Sequence, residues 1–266
     1  MTNNSAIRLD GKKILITGVS RPMGIGATLA KRFAEAGAMV AVHGFSDYDM
    51  TTGHLTAMPN GTETVAKQLN DEGLNVVALT SSDLETHGNA EKVVAQAVEK
   101  LGTLDGLVLN HTNGESIEIG KWTAEHIDPI LHVNIRASML MMQSFMEQAD
   151  TTKDNAITLF TSGQYLSPMI KEIAYCVSKE AIICLCRQSS YALSDKNIRV
   201  NCVNPGANDT GYCFGKAYED VAKMHPSGRW GTPNDTADLL LFLHGGYGKW
   251  ITGQVIASDG GIRESW

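Results

Sequence analysis

Short apolar runs alternate with amphipathic helix patterns from one end of this 266-residue chain to the other. The first six runs are bounded by Gly, Asn, Asp or Ser, which is typical of strands buried on both faces. Alternating strands and helices favour a parallel sheet with helices on both sides and right-handed crossovers. We therefore predict an α/β fold with one doubly wound parallel sheet, as a single domain over residues 1–266. The predicted strands are Lys13–Thr17, Met39–Val42, Val76–Leu79, Gly106–Leu109, Ala156–Phe160, Arg199–Val203 and Gln254–Ala257.

Helix patterns occupy the intervals between the predicted strands. Ile25, Leu29 and Phe33 share one face of the first pattern, as the 3.6-residue period of an α-helix requires. The two longest patterns cover residues 123–148 and 175–193.

Two stretches are predicted to be loops. Residues 43–61 are rich in Gly, Thr, Asp and Ser and are long for a strand–helix connection. Residues 207–231 carry Gly, Pro and several aromatics, and we predict a mobile lid over a substrate site there.

Charge and cysteine content exclude several classes of protein. The formal net charge is −7 without a long basic run, which argues against nucleic acid or an anionic membrane as the main partner. No segment has the apolar length of a membrane span, and the N-terminus lacks the apolar stretch of a signal peptide. Five cysteines do not suggest a disulfide framework, and the pair Cys184 and Cys186 does not share a helix face. We expect a reducing cytoplasmic location and no metal site.

A glycine-rich loop connects the first predicted strand to the first helix. Gly18 ends the strand, and Gly24, Ile25 and Gly26 open the helix. Glycines let the backbone approach a pyrophosphate, and the free N–H groups of a helix start face its negative charge. Many such loops are only tight turns, but this position favours a Rossmann-type dinucleotide site, with Ser20 in the loop as a further contact.

Three polar side chains are predicted to meet at the carboxyl edge of the sheet. Tyr175 and Lys179 are four residues apart on one helix face, and Ser162 follows an apolar run. Free tyrosine has a pKa of about 10, and a neighbouring ammonium group favours the phenolate. We predict that Tyr175 is a general acid and base, that Lys179 lowers its pKa, and that Ser162 holds a substrate carbonyl oxygen. The alternative for Ser162 is a strand-end hydroxyl bonded to backbone.

In this order, the motifs resemble those of the short-chain dehydrogenase/reductase family over about residues 9–261, and most of all its 3-oxoacyl-acyl-carrier-protein reductases. The resemblance implies an enzyme that transfers a hydride between a nicotinamide cofactor and a carbonyl or secondary alcohol, and a homotetramer. The residues that carry it are Thr17, Gly18, Gly24, Gly26, Asp83, Asn110, Asn134, Ser162, Tyr175, Lys179, Pro205, Gly206, Thr210, Asp259, Gly260 and Gly261.

The resemblance also implies individual roles. Asp83 accepts from the adenine amino group with Leu84 alongside, although a helix-capping Asp is the alternative. Asn110 fixes backbone near the cofactor ribose. Asn134 disturbs its helix and anchors a water that relays protons to the lysine; an ordinary polar helix position is the alternative.

The segment after the sixth strand and the predicted lid complete the implied site. Pro205, Gly206 and Thr210 match the segment that holds the nicotinamide carboxamide. Tyr212 in the lid is a candidate substrate contact. On the other wall we predict Gln164 and Tyr165, because they closely follow Ser162.

The chain departs from the family pattern in its glycine loop and second strand. Five residues separate Gly18 from Gly24, more than is typical, as in enoyl reductases; those relatives, however, space their Tyr and Lys more widely. The second strand lacks the usual terminal Asp of NAD-preferring relatives, and Arg21 suits a 2′-phosphate. We therefore expect NADP(H), with Asp47 as the argument for NAD(H).

Three functional alternatives stay open: an enoyl reductase, an NAD-dependent alcohol, sugar or steroid dehydrogenase, and a non-catalytic nucleotide-sensing protein. The expected subunit contact is apolar surface on the two longest helices, with Met139, Leu140, Met141, Met142, Ile182, Ile183 and Leu185.

Overall fold

The computed structural model describes residues 7–262, and its centre is a parallel sheet. The strands are β1 (Lys13–Thr17), β2 (Met39–His43), β3 (Val76–Ala78), β4 (Gly106–Leu109), β5 (Asn155–Phe160), β6 (Ile198–Asn204) and β7 (Val255–Ala257). Within the described residues they form one seven-stranded sheet in the order β3-β2-β1-β4-β5-β6-β7. The predicted doubly wound sheet is confirmed, with boundaries shifted by at most one residue.

Helices cover both faces of the sheet. They are α1 (Ile25–Glu35), α2 (Ser46–Thr51), α3 (Gly61–Asp71), α4 (Asn89–Leu101), α5 (Ala124–Leu131), α6 (Ser138–Gln148), α7 (Ile173–Ala192), α8 (Gly215–Met224) and α9 (Pro233–His244). One face buries Phe33 of α1 and Leu240 of α9, and the other buries Val93 of α4, Met141 of α6 and Ile182 of α7. Each such side chain contributes about 1.5–3 kcal/mol when it is fully buried.

Both stretches predicted to be loops contain a helix. Helix α2 lies within residues 43–61, and α8 lies within residues 207–231. The six residues of α2 are too few to show a helical period, and Asp47 and Asp49 in its first turn favour the helix start. In α8, Tyr218 stacks on Trp230 with the ring centroids 4.9 Å apart. Contacts distant in sequence therefore hold these short helices.

The long pattern over residues 123–148 is interrupted. Helix α5 ends at Leu131, a π-helical segment covers His132–Ala137, and α6 follows. Asn134 lies buried inside this segment, so the expected disturbance of the helix is present. π-Helical turns inside α-helices are frequent at functional sites.

The direction of the strands determines where a site can form. Because all strands are parallel, the segments that follow β1, β2, β4, β5 and β6 meet at one edge of the sheet. The strand order reverses between β1 and β4, and ligands of open α/β sheets bind in the crevice at such a point. Among residues 7–262, no helix has the length and apolar character needed to cross a bilayer.

Candidate functional site

A cavity of about 600 Å³ opens at this edge of the sheet. Its lining combines the glycine loop, the segments after β2, β3 and β4, the start of α7 and residues 206–212. The residues predicted from sequence that line it are Gly18, Ser20, Arg21, Gly24, Ile25, Asp83, Leu84, Asn110, Tyr175, Gly206, Thr210 and Tyr212.

The glycine loop forms a narrow backbone cradle. Gly18 has a φ of +72°, a conformation that favours glycine. A Cβ atom at Gly26 would lie 2.5 Å from the carbonyl oxygen of Gly18, so no other residue fits there. The Asn110 side chain donates to the carbonyl oxygens of Thr17 and Gly18, at 3.2 and 3.0 Å. Helix α1 has no side-chain cap at Gly24, so its first N–H groups suit a pyrophosphate.

A buried carboxylate adjoins the cradle. The Ser20 hydroxyl donates to Asp49, whose Oδ1 lies 3.3 Å from Nε of Arg21. Asp49 is 7% exposed and lines the cavity, whereas Asp47 is exposed and does not. The carboxylate that lines the cavity is therefore Asp49, two residues after the predicted Asp47. Positions two apart on a helix point in nearly opposite directions, and the helix itself was not predicted.

Asp83, Leu84 and His43 also line the cavity. Oδ1 of Asp83 accepts from the backbone N–H of Glu85 at 2.8 Å, which shapes a turn. His43 is buried, and burial lowers its pKa to about 4, so the ring is neutral at pH 7. Its Nε2 lies 3.1 Å from the Ser82 hydroxyl, but no group within residues 7–262 bonds its Nδ1. A polar, heteroaromatic ligand fits such a surface.

Tyr175, Lys179 and Ser162 meet as predicted. Nζ of Lys179 lies 5.4 Å from the ring centroid of Tyr175 and donates to the carbonyl oxygen of Phe160 at 3.1 Å. Burial lowers the pKa of Lys179 to about 8. Ser162 is hydrogen bonded to the Tyr175 side chain.

The pKa of Tyr175 differs in sign from the sequence-based expectation. Burial raises it, and the Ser162 hydrogen bond, which lowers it, is the smaller effect. The nearby Glu172 carboxylate raises it further. Tyr175 therefore carries its proton at neutral pH and is suited to donate it.

Asn134 connects α7 to the segment after β4. Its Oδ1 accepts from the backbone N–H of Asn113 at 2.7 Å, and its Nδ2 donates to the Asn113 carbonyl oxygen at 2.8 Å. The same Nδ2 donates to the Ser178 hydroxyl at 2.8 Å. Asn134 is thus a buried bridge, not an ordinary polar position on a helix face.

Comparison with known proteins identifies the family. A family model described as enoyl-(acyl carrier protein) reductase matches residues 18–263. The 3-oxoacyl-acyl-carrier-protein reductase FabG of Thermotoga maritima is 30% identical over 261 residues, covering 96% of this chain and 99% of that protein. A short chain dehydrogenase from Burkholderia cenocepacia in complex with NADP is similar in structure, with a TM-score of 0.83, 27% identity and coverage of 96% and 98%.

The chain belongs to the short-chain dehydrogenase/reductase family. It is an oxidoreductase, and its site is that of a nicotinamide-dependent enzyme. A further relative, an uncharacterized oxidoreductase YjdA of Bacillus subtilis, is 29% identical over 253 residues and covers 94% of this chain and 96% of that protein.

Some predicted residues of this short-chain dehydrogenase/reductase do not line the cavity. Gln164 donates to Thr161 and Glu180, both at 3.0 Å, and the Tyr165 hydroxyl accepts from Asn204 at 2.8 Å. Both lie in a 3₁₀ turn that directs them toward α7 and β6 and neither lines the cavity, so their role as substrate contacts stays a prediction. Pro205, Ser162 and Lys179 are also absent from the lining.

Other residues of the lining were not predicted. They include Tyr48, Asp49, His54, Asn113, Gly114 and Glu172. Tyr48 and Asp49 come from α2, which the sequence did not reveal as a helix. Glu172 is the residue that precedes α7, three positions before Tyr175, and this short spacing is the signal that could have identified it.

Proposed function

We propose that this short-chain dehydrogenase/reductase is an NADPH-dependent reductase of ketones or 3-oxoacyl thioesters, with Ser162, Tyr175, Lys179 and Asn134 as its catalytic groups. The observation that carries the proposal is the position of Tyr175. Its side chain lines the cavity beside the glycine cradle, is hydrogen bonded to Ser162, and has the Lys179 ammonium 5.4 Å from its ring centroid.

The cradle and its neighbours would hold the dinucleotide. Gly18, Gly24 and Gly26 leave room for the pyrophosphate, and Asp83 with Leu84 borders the adenine side. Thr210, which is nearly buried in the lining, is the proposed partner of the carboxamide. A bound nicotinamide supplies the hydride for reduction.

Tyr175 would supply the proton. Its raised pKa keeps the phenol protonated at neutral pH, so it can donate to the substrate oxygen as that oxygen gains charge. The Ser162 hydroxyl would donate a hydrogen bond to the same oxygen. Lys179, as a cation beside the ring, would stabilise the phenolate left behind. Asn134 holds α7 and the segment after β4 together around these groups.

Arg21 supports NADP(H) over NAD(H). It lines the cavity at the glycine loop, and a planar guanidinium suits a 2′-phosphate. The structural relative from Burkholderia cenocepacia is a complex with NADP. The spacing of Tyr175 and Lys179 supports ketone over enoyl reduction, despite the description of the matching family model.

One observation favours a second function, an NAD-dependent secondary alcohol, sugar or steroid dehydrogenase. Asp49 is paired with Arg21 and lines the same cavity, so its charge opposes a 2′-phosphate. Titration with NADPH and NADH, followed by nicotinamide fluorescence, separates the two proposals. Tighter binding of NADPH is expected from the first and tighter binding of NADH from the second.

Tyr175→Phe tests the catalytic assignment. The variant should bind cofactor with unchanged affinity and lose turnover by about a hundredfold or more, because the proton donor is removed. The measurement is turnover of a panel of ketones and 3-oxoacyl thioesters, with cofactor affinity as the control. Near-normal turnover would contradict the assignment. If the wild type binds neither NADPH nor NADH, the non-catalytic alternative is favoured instead.

We further propose a homotetramer in a reducing cytoplasm, with residues 207–231 as the substrate lid of a single domain. All five cysteines are free thiols. Of the apolar residues predicted at the subunit contact, Met141, Met142, Ile182 and Ile183 are buried in the core, whereas Met139 is 52% exposed and available to a partner. Light scattering should give about four times the monomer mass of 28.7 kDa; the monomer mass would refute the tetramer.

A further inference from the structure

Tyr48 connects α2 to the segment that follows β4. Its hydroxyl accepts from the backbone N–H of Gly114 at 3.1 Å, and its proton faces the Gly114 carbonyl oxygen at 3.2 Å and Oδ1 of Asn113 at 3.3 Å. Helix α2 follows β2, and β1 lies between β2 and β4 in the sheet. One phenol therefore bonds both backbone groups of Gly114 from across the cavity that both residues line.

Gly114 in turn packs on the ring of Tyr175. A Cβ atom at Gly114 would lie 3.2 Å from Cδ2 and 3.6 Å from Cε2 of that ring. With no side chain between them, the backbone of Gly114 forms one wall for the ring. Whatever holds Gly114 therefore limits how far the Tyr175 ring can move on this side.

Further hydrogen bonds link the segment that contains Gly114 back to Tyr175. Asn134 bonds both backbone groups of Asn113, the neighbour of Gly114, and donates to the Ser178 hydroxyl. That hydroxyl donates to the carbonyl oxygen of Tyr175 at 2.7 Å. Asn134 thus holds the backbone of Asn113, and Tyr48 holds the backbone of Gly114, which packs on the Tyr175 ring.

We propose that Tyr48 is a positioning residue for the proton donor of this enzyme. By fixing Gly114 against the ring, it keeps the Tyr175 phenol on Ser162 and near Lys179. This inference rests on the proposed role of Tyr175. The physical reason is that proton transfer needs hydrogen-bond geometry, and a displacement of about 1 Å can cost about a hundredfold in rate.

Tyr48→Phe tests the inference, because it keeps the ring and removes only the hydroxyl. Hydrogen exchange of the peptide that contains Gly114, measured by mass spectrometry without substrate, should become faster as its N–H loses its acceptor. With NADPH and acetoacetyl-CoA, or the best ketone of the panel, kcat should fall about tenfold. KM and the NADPH dissociation constant should change less than about twofold, because the hydroxyl that is removed bonds Asn113 and Gly114.

The pH profile separates positioning from a general loss of stability. A Tyr175 phenol displaced from its native position changes both the burial that raises its pKa and the Ser162 hydrogen bond that lowers it, so its pKa shifts. The basic limb of the kcat profile should therefore move in Tyr48→Phe. In a protein that is only less stable, kcat would be lower at every pH, but the basic limb would stay at the same pH.

Two further variants complete the test. Gly114→Ala places a methyl group against the Tyr175 ring while Tyr48 stays intact, and it should lower kcat and shift the same limb. Tyr247→Phe, an exposed tyrosine in the turn after α9, is the matched control and should change nothing. Unchanged exchange at Gly114, or unchanged kcat and pH profile in Tyr48→Phe, would overturn the proposal. If Tyr175→Phe also keeps turnover, the proposed function itself has failed.

Discussion

Asp49→Asn should increase the preference of this enzyme for NADPH over NADH. Asp49 is almost completely buried, accepts a hydrogen bond from Ser20 and lies 3.3 Å from the Arg21 guanidinium. A 2′-phosphate held by Arg21 would have to approach this carboxylate. Asparagine has nearly the same shape and can still accept from Ser20, so the change removes little besides the charge.

The magnitude follows from the geometry. Two anions that contact the same guanidinium lie roughly 6 Å apart, and at an effective dielectric constant of about 20 two unit charges at that distance repel by about 3 kcal/mol. Relaxation and salt reduce this figure, and each 1.4 kcal/mol corresponds to about tenfold in affinity. We expect the ratio of NADH to NADPH dissociation constants to rise about ten- to a hundredfold.

The assay is fluorescence titration of wild type and variants with both cofactors at low and high salt. Asp47→Asn is the matched control, because Asp47 belongs to the same helix but is exposed and outside the lining. It should leave the ratio unchanged. An unchanged ratio in Asp49→Asn, or equal shifts in both variants, would refute the electrostatic reasoning whichever cofactor the wild type prefers.

Three further results are expected. Gly26→Ala should weaken binding of both cofactors at least about a hundredfold, since its Cβ would lie 2.5 Å from the Gly18 carbonyl oxygen; fluorescence titration measures the affinity and circular dichroism checks the fold. His111 is buried, and burial lowers its pKa from 6.5 to about 3. Its neutral form therefore stabilises the fold fully above about pH 6.5, and this contribution is lost as the pH falls toward 3. In urea unfolding, the free energy of unfolding should fall less steeply with decreasing pH in His111→Gln than in wild type. Thr232→Ala should lower the free energy of unfolding by about 1 kcal/mol, because Thr232 and Asp235 form a capping box at α9; an unchanged urea midpoint would contradict this.

The order of motifs along the chain predicted the sheet and most of the site. Local patterns suffice where a residue's role depends on nearby chain: Gly26 must be small because its Cβ would lie against the carbonyl oxygen of Gly18 in the preceding loop, and Lys179 accompanies Tyr175 because both lie on α7. Such relations act over a few residues, and they are visible in any sequence that carries them.

Tertiary structure alone decided the remainder. Helix α2 is too short to show a period, so only its contacts with the glycine loop and the segment after β4 reveal that Asp49 and Tyr48 face the cavity. The pKa of Tyr175 likewise depends on its burial among several segments, an effect that outweighs the hydrogen bond from Ser162. Burial and cross-chain contacts depend on how distant elements pack together, and the local pattern of residues does not encode them.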